Sequence, residues 1–218
     1  MAKKKTISEN DIITYYMDYV LENNEQPKSV YLFAKSNHFD EASFYAHFGS
    51  FEAVETHIFK AFFNNTLTAL EASEDYHTFD ARNKLLSFYF TFFENVTANR
   101  SYVLFALAPY KNSLKGFTLL SGLKKSFTQY ISSLNIETLD LKQEQLNKFQ
   151  NKAIQESAWV QLLLTLKFWM DDTSASFEKT DIFIEKSVNT SFDVLHIAPL
   201  KSVIDLGKFI FKEKMHMN

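Results

Sequence analysis

The chain has 218 residues, of which 46% are hydrophobic and 16% aromatic, and 23 of them are phenylalanine. This composition allows a large buried core and excludes a disordered chain, while 4 glycines and 3 prolines are too few for the turns of an all-β protein. The absence of cysteine excludes a disulfide framework and a thiolate metal site, and the formal net charge of −3 gives no general preference for an anionic partner.

The N-terminal part is predicted to form one helix of four turns and two shorter ones. Ser8, followed three residues later by Asp11, is typical of a helix start, and apolar residues then repeat at helical spacing as far as Asn23. Ser29 and Asp40 are of the residue types that cap helices, and each precedes a short apolar pattern. Three helices are therefore expected before residue 50.

Longer helices are expected in the rest of the chain. They are predicted, in order, at about Phe51–Ala72, Asp80–Ala98, Asn99–Ala108, Leu114–Ser132, Glu144–Met170, Phe177–Leu195 and Leu200–Lys212. The second of these is apolar nearly all round, so we expect it to be central. No linker rich in Pro, Gly or Ser interrupts the chain, and we expect two domains, 1–50 and 51–218, that share the helix beginning at Phe51.

Short helices followed by a long one are typical of a helix-turn-helix unit. Residues 29–34 and 39–54 resemble the DNA-binding head of TetR-family regulators, and the most diagnostic stretch is Ser-Phe-Tyr-Ala-His-Phe-Gly-Ser at 43–50. The resemblance implies an all-α, TetR-like fold, with a three-helix head and a larger helical domain for ligand binding and dimerisation. The function it implies is a transcriptional regulator and not an enzyme.

The resemblance also implies an interface with double-stranded DNA. In this family the recognition helix lies in a major groove with its first residues at base edges, and flanking residues contact phosphates. The positions that match phosphate contacts are Ser29, Tyr45 and His47, those that match base-facing residues are Glu41, Ala42, Ser43 and Ala46, and a basic arm is expected at Lys3, Lys4 and Lys5.

The head departs from the family pattern in its charge and at two positions. Residues 1–58 contain five lysines against nine acidic residues, a net charge of −4, whereas a phosphate-binding surface needs cations. His38 stands where the family has glycine, which requires a left-handed residue or a re-routed turn, and Phe51 stands where lysine is usual. A second interpretation is therefore open, in which the head keeps its fold without binding DNA.

Aromatic residues are abundant in the rear part of the chain. Their ordinary interpretation is a packed core, but the family encloses an apolar ligand between its middle helices, so the resemblance implies an apolar small molecule or a lipid. The candidate ligand-binding residues are Phe88, Tyr89, Phe92, Phe93, Phe105, Phe117, Phe127, Trp159, Phe168 and Trp169.

The end of the chain carries a weaker resemblance. Residues 168–174, Thr180 and residues 188–211 are similar in pattern to the tail of the mitochondrial lipid-binding accessory protein of ubiquinone biosynthesis, a TetR-like fold without DNA function. This resemblance implies the alternative function, a protein that binds a lipid or isoprenoid and does not read DNA.

Other classes of site lack a sequence pattern. There is no GxSxG, GxGxxG or P-loop motif, and the six histidines lack HxxxH or HExxH spacing, so no catalytic site, metal site or cofactor is predicted. The most apolar stretch, Leu162–Met170, is too short to span a bilayer, and residues 6–11 are too polar for a signal peptide, so a cytoplasmic protein is expected. In the family the last two helices form a four-helix bundle with a second copy, which implies a homodimer.

Overall fold

The structure, a computed structural model, describes residues 7–110, 117–137 and 144–196, and within these ranges it contains helices and turns but no strand. The all-α prediction is thus confirmed for this part of the chain. The helices are α1 (Glu9–Asn23), α2 (Val30–Ser36), α3 (Glu41–Tyr45), α4 (Phe51–Glu71), α5 (Glu74–Thr78), α6 (Ala81–Ala98), α7 (Arg100–Leu107), α8 (Ser121–Ser133), α9 (Glu144–Asp171) and α10 (Glu178–His196). Short 3₁₀ turns lie at Ala108–Tyr110, Phe117–Leu120 and Ala175–Phe177.

The helix starts predicted from capping residues are confirmed. The Ser8 hydroxyl accepts a hydrogen bond from the Asp11 amide at 3.1 Å, and the Ser8 amide donates to the Asp11 carboxylate at 2.9 Å. Ser29, Asp40 and Ser50 cap α2, α3 and α4 in the same way, each accepting from a backbone amide three residues on. Each cap satisfies an amide that has no partner within its helix.

Three features differ from the expected pattern of elements. The helix predicted at Leu114–Ser132 is an α-helix only from Ser121, where α8 follows the 3₁₀ turn at Phe117–Leu120. Helix α5 is not predicted by the sequence, because Tyr76 is its one buried residue and no apolar pattern repeats along it. The Tyr76 hydroxyl lies 2.9 Å from that of Tyr130 and holds the helix in place. The chain also continues through Pro109 as a 3₁₀ turn after α7 ends at Leu107. The predicted helix at Leu200–Lys212 lies outside the described residues.

The core is centred on α4 and α6. Helix α4 packs on α6 and α8, α8 packs on α9, and α6 packs on α10. The central position predicted for the second long helix is confirmed, because α6 buries six large side chains: Leu85, Phe88, Tyr89, Phe92, Phe93 and Val96. None of the described helices has the length and apolarity needed to cross a membrane.

Aromatic side chains of residues 16–44 pack around Phe51 of α4, within a core that is continuous with the rest of the described chain. The ring of Phe51 lies 5.5 Å from Tyr16, 5.5 Å from Phe33 and 5.4 Å from Phe44, centroid to centroid. Edge-on and offset ring pairs of this kind add to the free energy of burial. Phe51, which replaces the usual surface lysine, therefore serves packing. The boundary at residue 50 stays a prediction.

Arg100 ties α7 to the corner between α9 and α10. Its guanidinium donates to the carbonyl oxygens of Trp169, Met170 and Asp172 at 3.0, 3.2 and 3.3 Å. It also lies over two neighbouring rings, 4.5 Å from the centroid of Trp169 and 4.6 Å from that of Phe177. A cation at the C-terminal end of α9 also complements the helix dipole.

Asp172 holds the other side of this corner. Its buried carboxylate accepts from the amide and hydroxyl of Ser174 at 2.8 and 2.7 Å, and from those of Thr180 at 2.9 and 2.7 Å. Burial alone would raise the pKa of Asp172, but these four hydrogen bonds lower that pKa to about 2. The network surrounds two residues with left-handed backbone, Ser176 (φ 53°) and Phe177 (φ 60°).

Candidate nucleic-acid interface and rear aromatic core

The turn between α2 and α3 contains a left-handed residue at the position where the family has glycine. His38 has φ 61°, so of the two expected outcomes the chain takes the left-handed one instead of re-routing the turn. The Phe39 amide then donates to the Ala34 carbonyl at 3.0 Å, which closes the turn. A histidine tolerates this conformation less well than glycine, so the turn is formed at some cost in stability.

The four residues expected to face bases lie on or directly after α3. Ala42 and Ala46 are exposed and one helical turn apart, so they share a face. Glu41 is half-buried, and so is Ser43, whose hydroxyl donates to the Asp40 carboxylate at 2.6 Å. The apolar face of α3 is turned inward through Phe44.

The three residues expected to contact phosphates are all exposed. Tyr45 is 53% exposed, and its ring lies edge-on to Phe44 with centroids 5.6 Å apart. The Ser29 hydroxyl accepts from the Leu32 amide at 3.2 Å, and the Nε2 atom of His47 lies 3.2 Å from the carbonyl oxygen of Ile7. Lys3, Lys4 and Lys5 lie outside the described residues.

Two exposed residues of α2 were not singled out in the sequence. Tyr31 is 55% exposed and Leu32 is 52% exposed, and the ammonium of Lys35 lies 5.9 Å from the centroid of the Tyr31 ring. Their signal was present, because Phe33 and Ala34 define the buried face of α2 and leave its two preceding positions outside. Together with Tyr45 they make the head surface partly apolar.

The acidity of the head is concentrated away from α3. Between residues 7 and 58, only Asp40 and Glu41 lie at α3, and Asp40 is engaged as its cap. The other seven acidic residues lie on α1, on the loop after it and on α4; among them, Glu9 pairs with His57 at 2.7 Å, and Glu55 accepts from Tyr16 at 2.7 Å. Net charge therefore overstates the repulsion that a phosphate would meet at α3.

Most of the candidate ligand-binding residues form one connected cluster of rings between α6, α8 and α9. Phe127 lies 5.3 Å from Phe88, Trp159 lies 6.5 Å from Phe127, and Trp169 lies 6.3 Å from Phe93. The buried members of the cluster are Phe88, Tyr89, Phe92, Phe93, Phe127, Trp159 and Trp169.

Two of the remaining candidates are less deeply buried. Phe105 is only half-buried, and the side chain of Phe117 lies outside the described residues. Phe168 is 38% exposed and stacks on Phe183 of α10 with centroids 4.7 Å apart. Adjacent residues on a helix point about 100° apart, so Phe168 and the buried Trp169 face different surroundings.

Two buried hydroxyl groups stand out because the described part of the chain gives them no hydrogen-bond partner. They belong to Tyr89, in the ring cluster, and to Tyr102 on α7. Burial raises the pKa of both far above the usual value for tyrosine, so both hydroxyls remain protonated. A buried polar group without a partner is unfavourable and is typical of sites that bind something or change conformation.

A shallow surface groove of about 340 Å³ runs between α4 and α8. It is lined by Glu52, Ala53, Thr56, His57, Lys60 and Gly122. A Cβ atom at Gly122 would lie 3.4 Å from the Thr56 carbonyl oxygen, which is ordinary van der Waals contact, so α8 packs closely on α4 here without requiring glycine. The groove is separate from the ring cluster and from α3.

The rear part of the chain matches a known protein family. A family model described as "Tetracyclin repressor-like, C-terminal domain" matches residues 84–210, which is more than half of the chain and spans most of α6 and all of the described helices after it. No curated protein matches the chain. The match gives no support to the second resemblance, to the lipid-binding accessory protein.

Proposed function

The chain belongs to the tetracycline-repressor-like (TetR) family, and we propose that it is a DNA-binding transcriptional regulator that responds to an apolar small molecule. We divide it into a head, residues 1–50, and a rear domain, residues 51–218, joined through α4. The observation that carries the DNA-binding part is the left-handed turn at His38 between two capped helices, which leaves Ala42, Tyr45 and Ala46 exposed on one short helix.

The side chains at α3 suggest how the head would read DNA. The methyl groups of Ala42 and Ala46 are suited to contact the methyl group of thymine, and the Glu41 carboxylate can accept from the amino group of cytosine. The hydroxyls of Tyr45 and Ser29 can donate to phosphate oxygens and so position the head. Few cations are available for the phosphates, so binding would be weaker and less salt-dependent than in a basic head.

A substitution at Tyr45 tests the DNA contact. Tyr45→Ala is expected to weaken binding to a labelled operator duplex about tenfold, because it removes a hydrogen bond to a charged oxygen. Phe149→Ala is the matched control, since Phe149 is an aromatic residue of α9, 72% exposed and outside the head. Fluorescence anisotropy measures both affinities, and circular dichroism shows that both variants fold. Equal affinities for the two variants would remove Tyr45 from the interface.

The ring cluster supports the ligand part of the proposal. Its side chains are aromatic and pack against one another, and the Tyr89 hydroxyl supplies one polar group without a partner in the described residues, which suits an apolar molecule carrying one hydrogen-bonding group. The chain has two tryptophans, Trp159 and Trp169, and both belong to the cluster. A ligand bound in the cluster should therefore change the tryptophan fluorescence. Mass spectrometry of an organic extract of the purified protein identifies a bound compound, and adding that compound back to the protein while recording the fluorescence tests the site. If the compound binds and the tryptophan spectrum is unchanged, the binding site is not the ring cluster.

We also propose a homodimer built on an exposed apolar stripe. Val160, Leu164 and Phe168 follow one face of α9 at four-residue spacing and are 47%, 45% and 38% exposed, and Ile182 of α10 is 43% exposed. Such a stripe is typical of an interface between copies. The sequence predicted that α10 and the helix at 200–212 form the dimer interface, whereas the exposed stripe also includes residues of α9.

The dimer is tested by a charge placed in the stripe. Leu164→Glu is expected to give a monomer by light scattering, because a buried unpaired carboxylate disfavours the interface. Phe149→Glu, on the same helix but about four turns away, should leave the dimer intact. Two variants of the same mass would refute the interface, and a monomeric unmodified protein would refute the dimer itself.

A further inference from the structure

Two histidines from other parts of the head hold the start of α1. The carbonyl oxygen of Ile7 lies 3.2 Å from the Nε2 atom of His47, and the Glu9 carboxylate lies 2.7 Å from the Nε2 atom of His57. Carbonyl and carboxylate oxygens accept, so each imidazole donates from its Nε2 atom. The side chain of Ile7 is itself buried in the core. The residues that lead into α1 are therefore fixed by burial and by two hydrogen bonds.

Both hydrogen bonds lie beside the end of α3. His47 follows Tyr45, the last residue of α3, by two positions. The ring of His57, which lies on α4, is edge-on to the ring of Phe48 with centroids 5.5 Å apart. Phe48 is buried and directly follows His47 along the chain. The start of α1 is consequently attached to the segment that links α3 with α4.

This attachment limits where the lysines that precede α1 can reach. Lys3, Lys4 and Lys5 lie outside the described residues, but covalent geometry allows each residue to span at most about 3.6 Å. The Cα atom of Lys5 therefore lies within about 7 Å of that of Ile7, and the Cα atom of Lys3 within about 14 Å. Residues 7–58 contain only two further lysines and no arginine. Most of the lysines of the head are thus tethered close to α3.

We propose that His47 and His57 are positioning residues, which hold the start of α1 against the end of α3 and so direct the three lysines at 3–5 to the DNA phosphates beside α3. His47 then acts on DNA through Ile7 and the lysines, and not through a phosphate contact of its own. The lysines supply the positive charge that a phosphate-binding surface needs. The DNA part of this inference rests on the proposed function, whereas the attachment of Ile7 is tested without DNA.

A double-mutant cycle with the full-length protein separates positioning from direct contact. The probe is a labelled duplex from upstream of the protein's own coding sequence. His47→Ala is expected to weaken binding about fivefold, but less than about 1.5-fold once the three lysines are replaced by glutamine. His47→Gln keeps an N–H donor near the position of Nε2 and should restore most of the affinity. Equal losses from His47→Ala in both backgrounds would overturn the proposal.

Tyr45→Ala is the matched control for the cycle. Tyr45 is proposed to contact a phosphate directly, so its substitution should weaken binding by the same factor with and without the three lysines. A loss from His47→Ala that behaves like that of Tyr45→Ala would make His47 a direct contact.

The contact between Glu9 and His57 predicts an effect opposite to that of charge alone. Glu9→Ala removes a negative charge, which favours DNA binding, but it also removes the partner of His57 and should weaken binding at least about twofold. Glu22→Ala removes the same charge from an exposed position near the other end of α1 and should not weaken binding. Binding by Glu9→Ala as tight as that by Glu22→Ala would overturn the role of His57.

Hydrogen–deuterium exchange tests the attachment in the absence of DNA. His47→Ala should accelerate exchange of the backbone amides of residues 8–12 at least about threefold, and Phe149→Ala, far from the head, should leave these amides unchanged. Unchanged exchange in His47→Ala would overturn the proposal whatever the protein does with DNA. Faster exchange in a protein that binds no duplex would keep the attachment and refute the proposed function.

Discussion

Replacing Arg100 with methionine should lower the free energy of unfolding by about 3 kcal/mol. The substitution keeps a long apolar stem but removes three hydrogen bonds to carbonyl oxygens and the contacts of a cation with the rings of Trp169 and Phe177. The two ring contacts contribute roughly 1–2 kcal/mol, the cation at the end of α9 about 0.5 kcal/mol, and the hydrogen bonds about 1 kcal/mol net in this half-buried position. In a chain of this length the loss corresponds to a fall in Tm of roughly 6–12 °C.

The matched control is the other arginine of the sequence, Arg82. It pairs with Asp193 at 2.7 Å and lies 5.4 Å from the centroid of Phe192, but the side chain of Asp193 is 62% exposed. Arg82→Met should therefore cost less than about 1 kcal/mol. Scanning calorimetry and urea titration measure both variants. If the two arginine substitutions cost the same, or if Arg100→Met costs less than about 1 kcal/mol, the account of the α9–α10 corner is wrong.

Three further predictions concern single sites. His38→Gly should stabilise the protein by about 1 kcal/mol, because glycine takes the left-handed turn without strain; a lower urea midpoint would contradict this. Asp172 has a pKa of about 2 in the folded chain against 3.8 for the free group, so its contribution to stability is present above pH 4 and is lost as the pH falls towards 2. Urea titrations at different pH measure this loss, and Asp172→Asn should abolish it. Tyr130→Phe should lower the free energy of unfolding by about 1–2 kcal/mol, since it breaks the hydrogen bonds to Tyr76 and to the Lys84 carbonyl oxygen. Tyr89→Phe should lower it by less than about 0.5 kcal/mol, because the Tyr89 hydroxyl has no hydrogen-bond partner in the described residues. Equal losses by calorimetry would contradict both assignments.

Local signals in the sequence predicted most of the helix starts. The caps at Ser8 and Asp40 could be read from residues within three positions, because a cap is a local interaction. The left-handed turn at His38 was one of two outcomes that the pattern allowed, and it is the one that the structure shows. Helix α5 escaped prediction because its stability comes from one buried tyrosine, Tyr76, and not from a repeating pattern.

Contacts between distant residues could not be predicted from the sequence. The Arg100 guanidinium meets carbonyl oxygens about 70 residues further on, and Glu55 meets Tyr16 and Gln26 through the packing of α4 on the head. The sequence likewise could not separate Phe168, which is partly exposed, from the ring cluster, because that separation depends on how α9 is rotated about its axis. The effect of the acidic residues in the head also required the structure, since charge count does not say where the carboxylates lie.

The most direct test of the central claim is fluorescence anisotropy of the full-length protein with a labelled duplex taken from upstream of its own coding sequence, beside a scrambled duplex, at low and moderate salt. A TetR-type regulator should bind the upstream duplex more tightly than the scrambled one, and its affinity should fall as salt rises. Absence of binding to either duplex at low salt would contradict the claim that the α2–α3 unit reads DNA.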